Sequence, residues 1–425
     1  MSRTPSSSSA KTDDAEQPLV PRMRFPEFRN GPRWREPPLR EVCEINPSAD
    51  ELPESFIYID LDSVDGGVLT ARKRMARQDA PSRAQRLLER HDTIFQIVRP
   101  YQRNNLFVDF DDGDTYVAST GYAQLRAHAS KRFLYQAVHT DIFVDRVIAN
   151  CTGSSYPAIN SSDLGEISLP VPSSPDEQQK IADCLTSLDE VIAAQARKVE
   201  ALKAHKKGLM QHLFPQEGQT LPRLRFPEFR DEPAWESTDF EEVVFFQEGP
   251  GIMAADFRDD GVPLVRLSGL NGPTLTLVGC NYLDATKVRS KWNHFRLAVN
   301  DLVVSCSATF GRPARVNDDA AGAVFYTGLV RFRPKDARLE LEFLETFLSS
   351  PNFLRQAGFH AVGGGIKHFG PTHLKQMTIL FPTVPAEQLR IARCLSSLDA
   401  TIAAAAAALA ALRTCKKGLM QALFP

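Results

Sequence analysis

Residues 177–215 decide the fold, and they read EQQKIADCLTSLDEVIAAQARKVEALKAHKKGLMQHLFP. Residues 387–425 read EQLRIARCLSSLDATIAAAAAALAALRTCKKGLMQALFP, and 24 of the 39 aligned positions are identical without a gap. The chain of 425 residues therefore contains the same segment twice, once in its middle and once at its end. Such a repeat predicts two copies of one structural unit.

Both segments carry apolar residues at alternating steps of four and three, the spacing of a heptad seam. Each is predicted to form one helix of about 37 residues, roughly 55 Å long, that begins just after Pro175 or Pro385. The pattern favours an antiparallel pair within the chain, although each helix packing on its own domain, or seams joining two chains, would also explain it. The residues assigned to this packing are Ile181, Leu185, Leu188, Ile192, Leu202, Leu209, Ile391, Leu395, Leu398, Ile402, Leu412 and Leu419.

A second repeat lies ahead of each helix. The motif RFPEFR at 24–29 recurs at 225–230, and Trp34 recurs as Trp235 with the same offset. Residues 36–150 and 237–360, by contrast, show little similarity. Drift after a duplication would erode all parts alike, so matched ends around divergent middles indicate two middles that do the same task on different targets. The predicted organisation is a disordered tail 1–21, a domain 22–175, a helix 176–215, a domain 216–384 and a helix 385–425.

The divergent middles contain short runs rich in β-branched and aromatic residues, which are typical of strands. These predicted strands are 56–61, 93–98, 262–267 and 301–305, and residues 339–348 are predicted to form a helix. The expected fold is α+β, with two globular domains in a pseudo-two-fold repeat, separated by two long antiparallel coiled-coil helices.

Composition limits the class of protein. A net charge of -2 argues weakly against a small basic DNA-binding protein, because local patches matter more than the total. The seven cysteines include no CxxC pair, so free thiols are expected rather than a zinc site or disulfides. There is no unbroken run of about 18 apolar residues, and the Ser-rich start has no apolar core of a signal peptide. We therefore expect an intracellular protein without a membrane helix.

Two segments of the first middle suggest contacts with nucleic acid. Residues 72–90 carry seven basic groups opposed within the segment by Asp79 and Glu89, which suits phosphates, although a solvated helical face explains the pattern equally well. Residues 99–104 follow a predicted strand and combine an aromatic ring with Arg, Asn and Gln, which read base edges in the major groove. The candidates are Arg72, Lys73, Arg74, Arg77, Arg99, Tyr101, Gln102, Arg103 and Asn104.

Glycine-containing turns at 152–156 and 362–368 stand ahead of the two helices. The second lacks the spacing of a phosphate-binding loop and the Ser or Thr after its lysine. A tight turn that lets the backbone approach DNA or the next helix explains both better. These turns and the basic residues of the second middle add the candidates Ser154, Ser155, Tyr156, Lys287, Arg289, Lys291, Arg312, Lys367 and His368.

Motifs for catalysis are not found in the sequence. An adenine methyltransferase would need an element such as Asn-Pro-Pro-Phe, and neither that, a Walker motif nor HExxH occurs. No catalytic, cofactor-binding or metal-binding residue is therefore assigned, and a non-catalytic subunit is expected. Two alternatives remain: a coiled-coil adaptor without a sequence-specific role on DNA, and a self-contained nuclease or methyltransferase, since a nuclease site of scattered acidic residues has little local signature.

The duplicated order of motifs resembles the DNA-specificity subunits of type I restriction-modification systems. The resemblance covers nearly all of residues 22–425. It rests on the RFPEFR-to-Trp pairs, the turns followed by Leu164–Ile167 or Leu374–Met377, the Pro-x-x-Pro-x-Glu-Gln runs at 172–178 and 382–388, and the two KKGLMQ helix ends.

This resemblance implies a specific function. Each middle would be a target recognition domain that reads one half of a bipartite double-stranded DNA site, and the helices would set the distance between the halves. Two adenine methyltransferase subunits would dock on the helices and bring S-adenosylmethionine. Restriction subunits that translocate DNA with ATP and Mg would complete the complex. The chain itself would hold no cofactor and would act in the cytoplasm, away from membranes.

The spacer role can be tested by lengthening the first helix. Inserting about four residues within 195–204 adds roughly 6 Å of helix. We expect a longer non-specific gap between the two half-sites, measured by mapping methylated adenines. An unchanged gap would mean that the helices do not set the distance.

Overall fold

The computed structural model describes residues 19–49, 51–306, 313–360 and 370–425. The chain divides into two compact units: unit 1 comprises Met1–Ala196 and Ala408–Pro425, and unit 2 comprises Arg197–Ala407. The division falls inside the two long helices rather than at their starts, so each unit includes part of each helix. The boundaries drawn from the sequence stay predictions, and most of the predicted disordered tail lies outside the described residues.

The described strands of unit 1 are short and form two four-stranded sheets and a small ribbon. They are β1 Cys43–Ile45, β2 Ser55–Ile59, β3 Val64–Asp65, β4 Val68–Leu69, β5 Lys73–Ala76, β6 Ala84–Leu88, β7 Thr93–Gln96, β8 Leu106–Phe107, β9 Tyr116–Ser119 and β10 Tyr122–Ala127. The first sheet has the order β1-β10-β7-β8 and is antiparallel. The second has the order β5-β2-β9-β6, and its central strands β2 and β9 run parallel.

Three short helices and one long helix follow these strands. They are α1 Lys131–Ala137, α2 Asp141–Ala149, α3 Ser161–Glu166 and α4 Pro175–Leu213. The short helices begin where the sequence supplies a capping side chain, because Ser130, Thr140 and Asn160 each accept a hydrogen bond from a backbone N–H in the first turn. Buried aromatic rings, including Phe95 and Phe143, fill the space between α2 and the first sheet.

Unit 2 also contains two four-stranded sheets, built from different residues. Its described strands are β11 Glu236–Asp239, β12 Val244–Glu248, β13 Phe257–Arg258, β14 Val262–Val265, β15 Asn281–Leu283, β16 Leu302–Ser305, β17 Ala314–Arg315, β18 Val324–Phe325, β19 Leu329–Pro334 and β20 Thr378–Phe381. The order β12-β19-β16-β17 is antiparallel, and the order β13-β15-β14-β18 contains the parallel pair β14 and β18. The two divergent middles therefore have similar sheets, although the parallel pair is central in unit 1 and at the sheet edge in unit 2. The α+β prediction is confirmed.

The helices of unit 2 complete the correspondence. They are α5 Phe240–Val243, α6 Ala285–Lys287, α7 Leu341–Phe347, α8 Pro351–His360, α9 Pro371–Leu374 and the long α10 Pro385–Leu423, with a turn of π-helix at Val288–Trp292. The predicted helix 339–348 is α7, and the predicted strand 93–98 is β7. β7 ends two residues earlier than predicted, because Ile97 and Val98 pair with Ile159 and Ala158 outside the sheet.

The long helices α4 and α10 each contain 39 residues, and each begins at its proline rather than after it. Proline fits the first helical position because its missing N–H would have no partner there. The structure places all twelve of the residues assigned to helix packing at buried or half-buried positions. Within unit 1, Leu185 shares a core with Leu419 and Leu423, and within unit 2, Leu395 shares a core with Leu209 and Leu213.

One ion pair in each unit joins the two helices across the seam. Asp189 Oδ1 lies 2.6 Å from Lys416 Nζ in unit 1, and both carboxylate oxygens of Asp399 lie 2.6 Å from Lys206 Nζ in unit 2. Both lysines occupy heptad positions, where a polar residue specifies the register of a coiled coil. In unit 1 the early part of α4 contacts the late part of α10, and in unit 2 the late part of α4 contacts the early part of α10, so the helix segments are antiparallel.

A buried glutamate in the first turn of each long helix binds the lead-in segment of its unit. In unit 1, Arg24 donates to Glu177 through Nε at 2.7 Å and a terminal nitrogen at 2.6 Å, and Trp34 Nε1 donates at 3.3 Å. In unit 2, Arg225 and Trp235 bind Glu387 in the same way, at 2.8, 2.7 and 3.2 Å. Both glutamate side chains are 1% exposed. The RFPEFR-to-Trp repeat thus supplies the arginine and the tryptophan that bind this glutamate, and we call these three residues of each unit the clamp.

Two predictions drawn from composition meet different outcomes. All seven cysteines are free thiols, as expected. The helix α10, however, is long and apolar enough to cross a membrane by length and composition, and is the one such helix among the described residues. The prediction missed it because Asp399 and nearby Ser and Thr interrupt the apolar run while the following alanines keep the mean hydropathy high. A single helix of this kind is a weak indication of membrane insertion.

Removing the charge of the clamp should destabilise its unit. We expect Glu177→Gln to lower the free energy of unfolding by about 3 kcal/mol, because Arg24 would remain buried without a carboxylate partner. The measurement is urea unfolding of the full chain, followed by tryptophan fluorescence. Glu387→Gln is the matched variant in unit 2 and should have a similar effect there.

The control is Glu27→Gln, because Glu27 is 47% exposed and lies 3.4 Å from Lys180. An exposed pair of this kind contributes less than about 1 kcal/mol. Equal losses for Glu177→Gln and Glu27→Gln would show that the buried clamp does not hold the unit together.

Candidate nucleic-acid interface

The predicted basic segment of unit 1 forms strands rather than a long helix, and the four basic residues assigned to DNA there are paired with carboxylates. Arg72 binds Asp112, Arg74 binds Asp114, Lys73 lies 2.7 Å from Asp60 and Arg77 lies 2.5 Å from Glu51. The side chains of the four basic residues remain between 40% and 57% exposed. A phosphate would therefore have to compete with these carboxylates for the same donors.

The acids that pair with this segment lie mainly in residues 109–114, a run that the sequence reasoning did not weigh. Tyr116 donates to Asp112 at 2.6 Å, and this hydrogen bond together with the Arg72 guanidinium lowers the pKa of Asp112 to about 2. Asp112 is thus ionised at any physiological pH. Counting opposing charge within 72–90 alone missed this run because the sheet brings it beside β5 from about 40 residues away.

The second predicted segment, 99–104, is a loop at the end of β7 and is pinned to the glycine turn at 152–156. Arg99 N donates to Pro157 O at 2.7 Å, Val98 forms an isolated bridge with Ala158, and Ile159 N donates to Ile97 O at 3.0 Å. Gly153 has a φ of 88°, which suits glycine and lets the turn close tightly. The structure therefore brings together the two loops that the sequence singled out separately.

Three side chains of this loop that were predicted to contact DNA form hydrogen bonds within the loop or with residues beside it. Gln102 accepts a hydrogen bond from Gln96 Nε2 at 2.8 Å, and Asn104 accepts one from Gly66 N at 3.2 Å. Arg103 binds Asp141 Oδ1 at 2.6 Å and the carbonyl oxygen of His139 at 3.0 Å. These side chains fix the shape of the loop and are positioning residues.

The buried ring of His139 lies next to the same loop and is linked to it by hydrogen bonds. Burial lowers the pKa of His139 to about 4, so the ring is neutral near pH 7. Its Nδ1 lies 2.6 Å from Tyr135 O, and its Nε2 lies 3.3 Å from Asn105 Nδ2. Asn105 in turn accepts a hydrogen bond from Gln96 N at 2.8 Å, which ties the ring to the end of β7.

The remaining candidates of unit 1 point outward. Tyr101 and Tyr156 are 51% and 65% exposed, and Ser154 and Ser155 are exposed as well. The guanidinium carbon of Arg99 lies 4.2 Å from the centre of the Tyr156 ring, a close cation–π contact. An arginine and exposed aromatic rings on adjacent loops form a surface that can hydrogen-bond and stack with bases.

A second basic surface of unit 1 was not predicted. Arg103 lines a cavity of about 710 Å³ whose wall also contains Arg22, Arg413 and Lys417. Because Arg413 and Lys417 are more than 300 residues distant from Arg103 along the chain, no local motif marks this cavity. Its positive charge suits phosphate or carboxylate groups.

In unit 2, the predicted basic residues surround the π-helical turn. Lys287 binds Asp256, and this hydrogen bond lowers the pKa of Asp256. Lys291 Nζ lies 5.2 Å from the centre of the Trp292 ring, and Arg289 donates to Thr286 Oγ1 at 3.2 Å. The candidates Arg312, Lys367 and His368 lie outside the described residues.

Sequence reasoning also missed a stacked arginine in unit 2. Arg266 Cζ lies 4.2 Å from the ring centre of Tyr326 and 5.7 Å from that of Phe257, and its guanidinium donates to Asn281 Oδ1 at 2.7 Å. The residues are far apart in the sequence, so no local signal could have found this group. Unit 2 thus presents an arginine–tyrosine pair made from different elements than that of unit 1.

No group of three or more His, Cys, Asp or Glu residues that could hold a metal ion occurs within the described part of the chain. The arrangements above are suited to hydrogen bonding, stacking and ion pairing.

Comparison with known proteins identifies the family. The sequence model of the type I restriction modification DNA specificity domain matches residues 106–204 and 233–413, well over half of the chain. The MjaVIII specificity subunit of Methanocaldococcus jannaschii is 23% identical over 256 residues, 58% of this chain and 59% of that protein. The HindI specificity subunit of Haemophilus influenzae is 25% identical over 178 residues, 41% of this chain and 35% of that protein. The chain therefore spans less than two thirds of the length of these relatives.

Solved structures share the fold. A chain from a study of complex assembly and conformational transition of the type I R-M system has a TM-score of 0.56 at 24% identity, covering 92% of this chain and 97% of its own length. The type I restriction-modification S subunit of M. genitalium has a TM-score of 0.57 at 13% identity, covering 96% of this chain and 99% of its own length. The resemblance seen in the duplicated motifs is confirmed, and the chain belongs to the type I restriction-modification DNA specificity family.

Proposed function

We propose that this specificity subunit reads a bipartite double-stranded DNA site, with one half read by unit 1 and the other by unit 2. The observation that supports this most strongly is the pair of middles that each have an antiparallel and a mixed four-stranded sheet but different loop residues. Loops on a constant scaffold can change their recognition chemistry without changing the fold. The curated relatives are specificity subunits, which agrees with the prediction of a non-catalytic chain.

The charge pattern of unit 1 suggests which of its residues would contribute most to binding DNA. Contacts to phosphates position a protein on DNA, and contacts to base edges specify the sequence. The arginines of β5 are already paired with carboxylates, so we propose that they contribute modestly to affinity. The exposed loop around Arg99 and the basic cavity around Arg413 would contribute more.

We further propose that the long helices carry the partners. Two adenine methyltransferase subunits would pack on them and hold S-adenosylmethionine, and restriction subunits would add ATP- and Mg-dependent translocation. The alanines at 403, 404 and 406–408 of α10 are exposed, which leaves an apolar helical surface suited to another helix. A protein partner explains this surface without a membrane, and we expect the complex to act on DNA in the cytoplasm.

Exchanging one middle should change one half of the recognised site. We expect replacement of residues 36–150 by the corresponding segment of another family member to alter one half of the methylated sequence and leave the other half unchanged. The readout is the methylated motif in cells that also express the partner methyltransferase. The reciprocal exchange of 237–360 is the matched control and should alter the other half. A motif that stays the same in both exchanges would favour the adaptor alternative.

DNA binding should also depend strongly on salt. In complex with the methyltransferase, the affinity for random DNA should fall with rising salt, with a slope of about 0.9 per phosphate contacted, because bound counterions are released. A gel shift at several salt concentrations measures this slope. Binding without salt dependence would argue against a role on DNA. Cleavage or methylation by the purified chain alone, with Mg or S-adenosylmethionine, would instead support the enzyme alternative.

A further inference from the structure

The loop that follows β7 holds one arginine in a conformation that its own sequence disfavours. Arg99 has φ and ψ of 55°, in the left-handed region, and it precedes Pro100. The left-handed conformation costs a residue with a side chain free energy, and a following proline favours extended angles instead. Such a conformation persists where the surroundings impose it, often at functional sites.

The surroundings impose it through both neighbours in the sequence. The backbone of Arg99 is bound to Pro157, and Val98 is bridged to Ala158. On the other side, the Gln96–Gln102 and Arg103–Asp141 contacts hold the rest of the loop. Hydrogen bonds and an ion pair therefore hold both flanks of the loop. They fix the direction in which the Arg99 side chain leaves the backbone.

The side chain of Arg99 is oriented by Tyr156 and keeps its donors for another molecule. The Arg99 Cζ atom lies 4.2 Å from the centre of the Tyr156 ring, and this cation–π contact engages no oxygen or nitrogen acceptor. Among the described residues, none accepts a hydrogen bond from the Arg99 side chain. Arg72, Arg74 and Arg103, in contrast, are each bound to a carboxylate.

We propose that Arg99 is a specificity-determining residue that reads one guanine in the major groove of the half-site bound by unit 1, with Tyr156 as its positioning residue. The planar fork of arginine matches the O6 and N7 acceptors of guanine, and no other base presents that pair. A ring that fixes the guanidinium reduces the entropy lost when both hydrogen bonds form. This inference rests on the proposed function, because it assumes that unit 1 reads half of the site.

The test uses the full chain with its methyltransferase partner in a host that lacks adenine methylation. The wild-type motif is assigned to its two units by the exchange of residues 36–150. The unit 1 half-site should contain a guanine, on either strand, that becomes degenerate in Arg99→Ala. We expect discrimination at that position to fall roughly 5- to 140-fold, while the other half-site stays unchanged.

Conservative variants separate base reading from charge. Arg99→Lys keeps the charge but loses the fork, so it should also relax the guanine position. Tyr156→Phe keeps the ring and should preserve the motif, whereas Tyr156→Ala should relax the same position more weakly than Arg99→Ala. Arg40→Ala is a control for an exposed arginine of unit 1, since Arg40 pairs with Glu166 on the surface, and it should leave the motif intact.

Distinct outcomes would overturn the inference. An unchanged motif in Arg99→Ala, with binding reduced equally on all sequences and the salt slope lowered by about one, would mean that Arg99 contacts a phosphate. A unit 1 half-site without guanine would exclude the proposal directly. Thermal unfolding of each variant shows whether the loop change has damaged the fold. If the wild-type complex produces no split motif, the proposed function fails instead.

Discussion

Each unit depends on the ion pair and the hydrogen bond that a buried carboxylate makes at the start of its long helix. Glu177 and Glu387 bind the arginine and tryptophan of the lead-in segment, and each lies in the first turn of a helix. The helix dipole favours a negative charge at this position. Since the lead-in segment and the long helix of each unit meet at one charged group, a substitution there would affect both at once.

The long helices and their repeats were predictable because their signals are local and periodic. A heptad seam can be recognised from neighbouring residues alone. The seam lysines Lys206 and Lys416 form ion pairs with the aspartates of the repeated Ser-Leu-Asp motif. The strands were predictable in position but not in length. β7, for example, ends two residues before its predicted end, because the residues after it pair with a segment about 60 residues later in the chain, and such distant pairing leaves little trace in a sequence.

The surface chemistry was less predictable because it depends on pairs that are distant in sequence. The basic run at 72–90 suggested a phosphate-binding patch, yet the sheet brings Asp112 and Asp114 beside it. The reverse holds for Arg99 and Tyr156, which were singled out on separate loops and lie in contact. The number of basic and acidic residues within one segment therefore does not give the net charge of the surface that the segment forms, because residues from distant segments lie beside it.

The decisive measurement is the methylome of a methylation-free bacterial host that expresses this chain together with its partner methyltransferase, read by modification-sensitive long-read sequencing. A reader with two recognition units should produce methylated adenines in a split motif, with two short specified parts separated by a fixed gap. Methylation in a single continuous motif, or no new motif when both proteins are expressed and folded, would contradict the reading of DNA by two units of one chain.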